Sequence, residues 1–429
     1  MTLTANRPKS PFDRALLTEI RDRFLYVDHD PFAGPRAFFE TSGGSLKLKA
    51  ATEAVALWSG APDNEGRANP ASQAYSAVCE QGKADLTLLF GTEDGVIISG
   101  ETGSECINKV TRAAAMALPP GPILSCPLEH PATWDAAQLW AERTGRERII
   151  VPYDPETGKV TPEQYAAAVT PETRIAMVIH TSNVTGMRVD LPGIVRAIRA
   201  VAPDCYIITD GIQHAAHGAL SVADWGVDAY VFSPYKIYAR HGKGFAWLSN
   251  RLAALPHDKM LGAPPTSWEL GARDPGVYAA MSAVIDYLCW IGGRFADRDD
   301  RRARLEAAAA AMAAHERYLL DLVLFGDGDV PGLTDMPEVA LIGPNVVDDR
   351  EGMLSFTLAD WHSRQVEKAL NERGLRVFSM TQDPYAGHIL KHMDVEHVVR
   401  VSLCHYNSRE EVLSLLRALD ALRRQPVAA

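Results

Sequence analysis

Cysteine is scarce and scattered. The chain has six, at positions 79, 106, 126, 205, 289 and 404, and no two form a C-x-x-C pair. In 429 residues that spacing argues against a disulfide framework or a zinc site and leaves reduced, mostly buried thiols as the expectation. Long apolar runs are missing too: none approaches the roughly 18–20 residues that a membrane helix needs. The opening stretch MTLTANRPKSPFDR lacks the apolar core of a secretion signal. Positive charge is in deficit, with 43 Lys and Arg against 54 Asp and Glu and a formal net charge of −11. An acidic surface argues against nucleic acid or an anionic membrane as partner. With neither a membrane-length run nor a signal core, a cytoplasmic protein is expected. No internal repeat is present. The stretch RDDRRARLE (298–306) mixes both signs, as a solvated helix face does.

What the chain does have is apolar content, 47% of its residues, enough for a large core and for two domains. From about residue 96, short apolar segments alternate with amphipathic ones. Strands are expected at 96–99, 122–126, 148–153, 174–180, 205–209, 229–233 and 244–249. Helices are expected at 103–118, 134–145 and 191–202. Near-continuous apolar strands between helices predict an α/β fold: a mostly parallel sheet with helices on both faces. After about residue 300 the order changes to a long helix, EGMLSFTL, the helix SRQVEKALNERG, VVRVSL and a last helix from 408, capped by Asn407 or Ser408. The expected division is a large domain over 36–295, a smaller C-terminal α/β domain over 296–429, and an N-terminal segment, 1–35, packing near the smaller one.

Ligands of an open parallel sheet bind beyond the carboxyl ends of its strands. Five successive strands here end in polar groups: Thr102-Gly103-Ser104, Glu129-His130, Thr181-Ser182-Asn183, Asp210 with Gln213 and His214, and Lys236. Each has an ordinary explanation, as a helix cap, a loop histidine or a lysine that snorkels to water. Together they describe something else. A glycine and a hydroxyl at a helix N-terminus suit a phosphate. An imidazole, His130, can lie flat on an aromatic ring. A carboxylate at a buried strand end, Asp210, can keep a pyridine nitrogen protonated. An amine held in a pocket, Lys236, can form a Schiff base. That set fits pyridoxal phosphate.

The stretch TDGIQHAAHGALSVADWGVDAYVFSPYK resembles the class V branch of fold-type I pyridoxal-phosphate enzymes, which holds the cysteine desulfurases and selenocysteine lyases. ETGSE, LEHPATWD, HTSNVTG and VVRVSLCHYNSREEV follow in the same order, so the resemblance runs from about residue 38 to the last helix. It implies roles residue by residue. Thr102, Gly103 and Ser233 would hold the phosphate, His130 would stack on the ring, and Asn183 and Gln213 would lie near the phenolic oxygen. Asp210 would pair with the ring nitrogen, Lys236 would carry the Schiff base, and Arg400 would grip the substrate α-carboxylate. A homodimer with a shared active site is implied as well.

Three departures from the family pattern stand out. Tyr235 replaces the usual histidine beside the lysine, which puts one cofactor contact in question. Gly271-Ala272-Arg273 stands where the family has Gly-Thr. The stretch RVFSMTQDPYAGHILKHMDVEHVVR contains no cysteine, although a desulfurase carries its nucleophile there; Tyr385 and His388 occupy the loop and are expected at the substrate. The resemblance therefore implies cleavage at Cβ of a small L-amino acid (aspartate, cysteine sulfinate, cysteine or selenocysteine) through a ketimine and an enamine, without a persulfide. Two alternatives stay open. One is decarboxylative C–C bond formation between aspartate and an aldehyde co-substrate, giving a γ-hydroxy amino acid. The other is transamination.

Overall fold

The computed structural model describes residues 7–62, 64–154 and 157–425. A seven-stranded sheet is its main layer: β1 (Val96–Gly100), β2 (Ile123–Ser125), β3 (Arg148–Ile150), β4 (Ile175–Ile179), β5 (Tyr206–Asp210), β6 (Ala229–Phe232) and β7 (Gly244–Leu248). The spatial order is β1-β7-β6-β5-β4-β2-β3, parallel except for β7, which is antiparallel to both of its neighbours. Every residue of β4, β6 and β7 is buried, which is why these segments read as unbroken apolar runs. Successive residues still alternate between two cores. Ile207 and Tyr230 enter one, and Ile208 and Ala229 enter the other.

Helices α1 (Gly103–Ala117), α2 (Pro131–Thr144) and α3 (Leu191–Val201) follow β1, β2 and β4 in sequence. The second starts three residues before the expected point. His130 takes the N-cap position and Pro131 the first turn, where its missing N–H costs nothing. Helices α4 (Pro275–Gly292) and α5 (Arg301–Phe325) lead to a four-stranded antiparallel sheet of β8 (Val339–Leu341), β9 (Met353–Leu358), β10 (Phe378–Thr381) and β11 (His397–Ser402), in the order β8-β9-β11-β10. Helices α6 (Ser363–Asn371) and α7 (Arg409–Arg423) pack on it around Phe356, Val399 and Leu416. Ser408, one of the two expected caps, starts α7 in a capping box with Glu411.

The N-terminal stretch touches both halves. Arg7 pairs with Asp321 of α5, and Arg21 donates to the Tyr406 carbonyl at 2.7 Å. Phe24 packs edge-on against Tyr238 and Tyr287. Among the described residues no helix is long and apolar enough to cross a membrane.

Register places the functional edge. Ile179 of β4 lies opposite Asp210 of β5, and Asp210 lies opposite Val231 of β6, so three strands end nearly level. Because β7 runs the other way, its first residue, Gly244, sits on that same edge beside Gly100. A Cβ on Gly244 would stand 2.2 Å from the Thr102 carbonyl carbon and 2.4 Å from the Gly103 nitrogen. Gly244→Ala is therefore expected to force two backbone segments apart and cost about 1–3 kcal/mol, the range for overpacking. A clear fall in the urea midpoint is the expected result, and an unchanged midpoint would contradict this close approach.

Candidate active site

The strand ends enclose a cavity of about 130 Å³. Thr102, Gly103, His130, Asn183, Asp210, Gln213, Ser233, Tyr235 and Lys236, all anticipated from the sequence, line it. Ser104, Ile179, Thr181 and Ile212 complete the wall. Arg400 lies outside the wall and reaches the same region by donating from Nη1 to the Asn183 carbonyl at 2.9 Å.

Lys236 sits on a single 3-10 turn, Pro234–Lys236, directly after β6. Its backbone N–H bonds back to the Ser233 carbonyl at 3.0 Å, and Ala239 N–H bonds to the Pro234 carbonyl at 2.9 Å. Two residues on, Tyr238 has φ of 64°, a left-handed conformation rarely adopted by an aromatic residue. Three contacts hold it there: the Ser45 hydroxyl on its N–H at 2.8 Å, the Ala216 carbonyl on its own hydroxyl at 2.8 Å, and Phe24 against its ring. The lysine is 8% exposed. Its Nζ donates to the Ser42 carbonyl, which also accepts from Gln213 Nε2 at 3.1 Å. Burial, and then the nearby Arg400 charge, bring its pKa down to about 7.

Asp210 is buried and accepts from Thr133 Oγ1 and the Ile212 N–H, both at 3.0 Å. Burial nevertheless pushes its carboxyl up. A cation beside it would reverse that. His130 accepts from the Ala132 N–H through Nδ1 at 3.2 Å, and burial, with Lys236 nearby, lowers it to about 3, so the ring is neutral. The Thr102 hydroxyl accepts from the Glu105 N–H at 3.0 Å, so it serves as the helix cap. Gly103 leaves the space at the α1 N-terminus open, since a Cβ there would lie 2.5 Å from Ser233 Oγ. Tyr235 stacks on His241, with ring centroids 4.4 Å apart.

Arg400, 4% exposed, gives Nη2 to Glu40 Oε1 at 2.8 Å, while its Nε has no partner. Glu40 and Ser42 come from the stretch FFETSGGS. That stretch helps carry the family resemblance, yet neither side chain stands out in it. Neither of the two loop residues expected at the substrate lines the cavity. Tyr385 is 71% exposed, and His388 donates to the Glu129 carbonyl at 2.6 Å and stacks on Trp134. Ile389 and Leu390 of the helix Gly387–His392 are buried, and His388 is close enough to His130 to lower its pKa further. Arg273 is gripped by Glu65 and Glu80. Cys404 is buried beside His405 Nδ1 at 3.2 Å.

The residues suit an aromatic cofactor with a phosphate and a basic ring nitrogen. Thr181 Oγ1 and Asn183 Oδ1 are buried on the cavity wall without a hydrogen-bond partner. The Asp210 carboxyl makes no ion pair among the described residues, with Lys236 only a more distant charge, and a helix N-terminus faces an opening that only glycine leaves free.

Comparison with known proteins agrees. The sequence model of the family "Aminotransferase class-V" matches residues 41–288 and 305–415. A cysteine desulfurase of Salmonella agona is 25% identical over 377 residues, 84% of this chain and 83% of its own length. A probable cysteine desulfurase of Mycolicibacterium paratuberculosis is 28% identical over 346 residues, 76% of this chain and 45% of its own. Among solved structures, the Escherichia coli cysteine desulfurase CsdA in its S-sulfonic acid form superposes with a TM-score of 0.77 at 22% identity, over 96% of this chain and 98% of that one. The apo cysteine desulfurase of Thermococcus onnurineus NA1 gives 0.77 at 20% identity, over 90% and 94%. At that identity the likeness is one of fold, and it joins the family match and the level strand ends in one conclusion: the chain belongs to the class-V aminotransferase family of pyridoxal-phosphate-dependent enzymes.

Proposed function

We propose that this enzyme breaks a bond at Cβ of a small L-amino acid without passing a group through a cysteine of its own. The observation that carries the reading is the meeting of Lys236 and Arg400 at a cavity whose wall holds no thiol. All six cysteines are buried elsewhere, and burial raises their thiols, Cys106 to about 12 and Cys404 well above its ordinary value.

Gly103 and Ser233 would hold the phosphate of pyridoxal phosphate, His130 its ring face, Asp210 its ring nitrogen, and Asn183 and Gln213 its phenolic edge. When bound, the cofactor supplies an electron sink for the carbon skeleton of the amino acid. Lys236, with its pKa near 7, is largely a free amine at mildly alkaline pH, able to attack a carbonyl carbon and to move the α-proton. Arg400 would take the α-carboxylate in a two-pronged contact. Glu40 now occupies Nη2, so the substrate carboxylate must displace it or bind at the unpartnered Nε.

With no thiol to accept sulfur, leaving groups that depart unaided are favoured: sulfinate as SO₂ from cysteine sulfinate, or carboxylate as CO₂ from aspartate. A carbon nucleophile left at Cβ can take a proton or meet an aldehyde. Product mass spectrometry separates these fates. Alanine is the expected product from cysteine sulfinate or aspartate, and a mass equal to alanine plus the added aldehyde marks C–C bond formation. Oxo acids with an aminated cofactor would instead mean transamination and overturn the reading.

Three further outcomes test the residues. Lys236→Ala is expected to abolish both turnover and the visible absorbance gained on covalent attachment of the cofactor. In the wild-type apoprotein, the rate of that attachment should rise with pH and level off above about 7, because only the unprotonated amine reacts. A rate that is flat across this range would count against a depressed lysine pKa. Arg400→Gln should raise KM at least about tenfold, about 1.4 kcal/mol, and an unchanged KM would remove Arg400 from the substrate.

A further inference from the structure

At the end of β4 the side chains alternate. Ile179, Thr181 and Asn183 line the cavity around Lys236, while His180 between them does not and meets the Tyr230 hydroxyl at 2.9 Å. Strand periodicity thus continues past the last residue of the ladder. The His180 N–H bonds to the Asp210 carbonyl at 2.9 Å, which pins this segment beside Asp210.

Thr181 is the unexpected residue of the set. It is 1% exposed, and its Oγ1 is buried without a hydrogen-bond partner. A buried hydroxyl left unpaired is destabilising, and valine has nearly the same shape without that penalty. Ile179 and Ile212, on the same wall, show that hydrocarbon fits here. The polar groups around it are already engaged. Thr133 Oγ1 is on Asp210 at 3.0 Å, and Gln213 Nε2 is on the Ser42 carbonyl at 3.1 Å. Among the described residues of the wall, only Asn183 Oδ1 shares the condition of Thr181. Both atoms therefore await a ligand.

Topology indicates which part of that ligand. The strand order runs β1-β7-β6-β5-β4. Gly103 and Ser233, suited to the phosphate, follow β1 and β6, and Asp210, suited to the ring nitrogen, ends β5. Thr181 follows β4, on the side of Asp210 away from Ser233. Across the ring of pyridoxal phosphate from its phosphate arm lie a methyl group and the phenolic oxygen. Of these two only the oxygen can pair with a hydroxyl.

We propose that the Thr181 hydroxyl donates a hydrogen bond to the phenolic oxygen of the bound cofactor, beside Asn183. The inference rests on the cofactor's place in this cavity and not on which bond at Cβ is broken. A donor on that oxygen stabilises its anionic form, so the oxygen holds less tightly the proton it shares with the nitrogen attached to the cofactor. Thr181 thereby lowers the pH at which that proton is lost.

Thr181→Val removes the hydroxyl and keeps the shape, whereas Thr181→Ser keeps the hydroxyl. In the full-length apoprotein, Thr181→Val should leave the urea midpoint unchanged or raise it, because the hydroxyl has no partner there. The same variant should bind pyridoxal phosphate at least about fivefold more weakly. The pH midpoint of the loaded protein's visible absorbance should rise by at least about 0.5 in Thr181→Val. Thr181→Ser should stay within about twofold of wild type in affinity. Equal affinity in Thr181→Val with an unmoved pH midpoint would overturn the assignment. So would a lowered urea midpoint of the Thr181→Val apoprotein, since the hydroxyl would then be bonded within the protein. Wild-type protein that takes up no cofactor would strike the whole cofactor site together with this contact.

Discussion

Keeping the Lys236 amine out of water is the constraint on which the catalytic edge depends. A desolvated ammonium is unfavourable, so the site holds the lysine near neutrality: burial and the Arg400 charge lower its pKa, and the Ser42 carbonyl accepts its proton donor. Several otherwise odd features follow from that placement. The turn after β6 is one 3-10 turn long, Tyr238 takes up a strained backbone angle immediately after it, and Phe24 and Ser45 arrive from distant sequence to hold Tyr238 in place.

Opposite charges face one another in the site: Arg400 pairs with Glu40, and Asp210 feels the charge of Lys236, with a neutral His130 close to that lysine. In surroundings of low dielectric such pairs matter more than they would in water, and removing one member leaves the other exposed to the full cost of desolvation. That asymmetry explains why both terminal nitrogens of Arg400 are engaged before any substrate arrives, with Nε left unpartnered. Its Nη1 is fixed on Asn183, and its Nη2 holds a carboxylate, Glu40, in the manner expected for a substrate carboxylate.

Most of the cavity wall is legible in the sequence because it follows a local rule. Polar residues such as Asp210 and Lys236 directly follow apolar runs, and the apolar runs are strands buried on both faces. What could not be read depends on pairing across the chain. The reversal of β7 leaves no mark in GFAWLS, since a fully buried strand has the same composition in either direction. Ser42 acts through its backbone carbonyl, which is the same in every residue type, and Glu40 is recognisable only once Arg400 is beside it, 360 residues away in sequence. The loop around Tyr385 and His388 is expected at the substrate by position alone; it does not line the cavity, and Tyr385 is exposed.

The strained turn after Lys236 draws its support from Ser45 and Phe24, and its neighbour Arg400 lies in the last strand. A growing polypeptide thus releases every residue of the cavity wall, Lys236 being the last, well before Arg400 leaves the ribosome. Domains form largely in order of synthesis, so the wall can assemble while the arginine beside it is still missing.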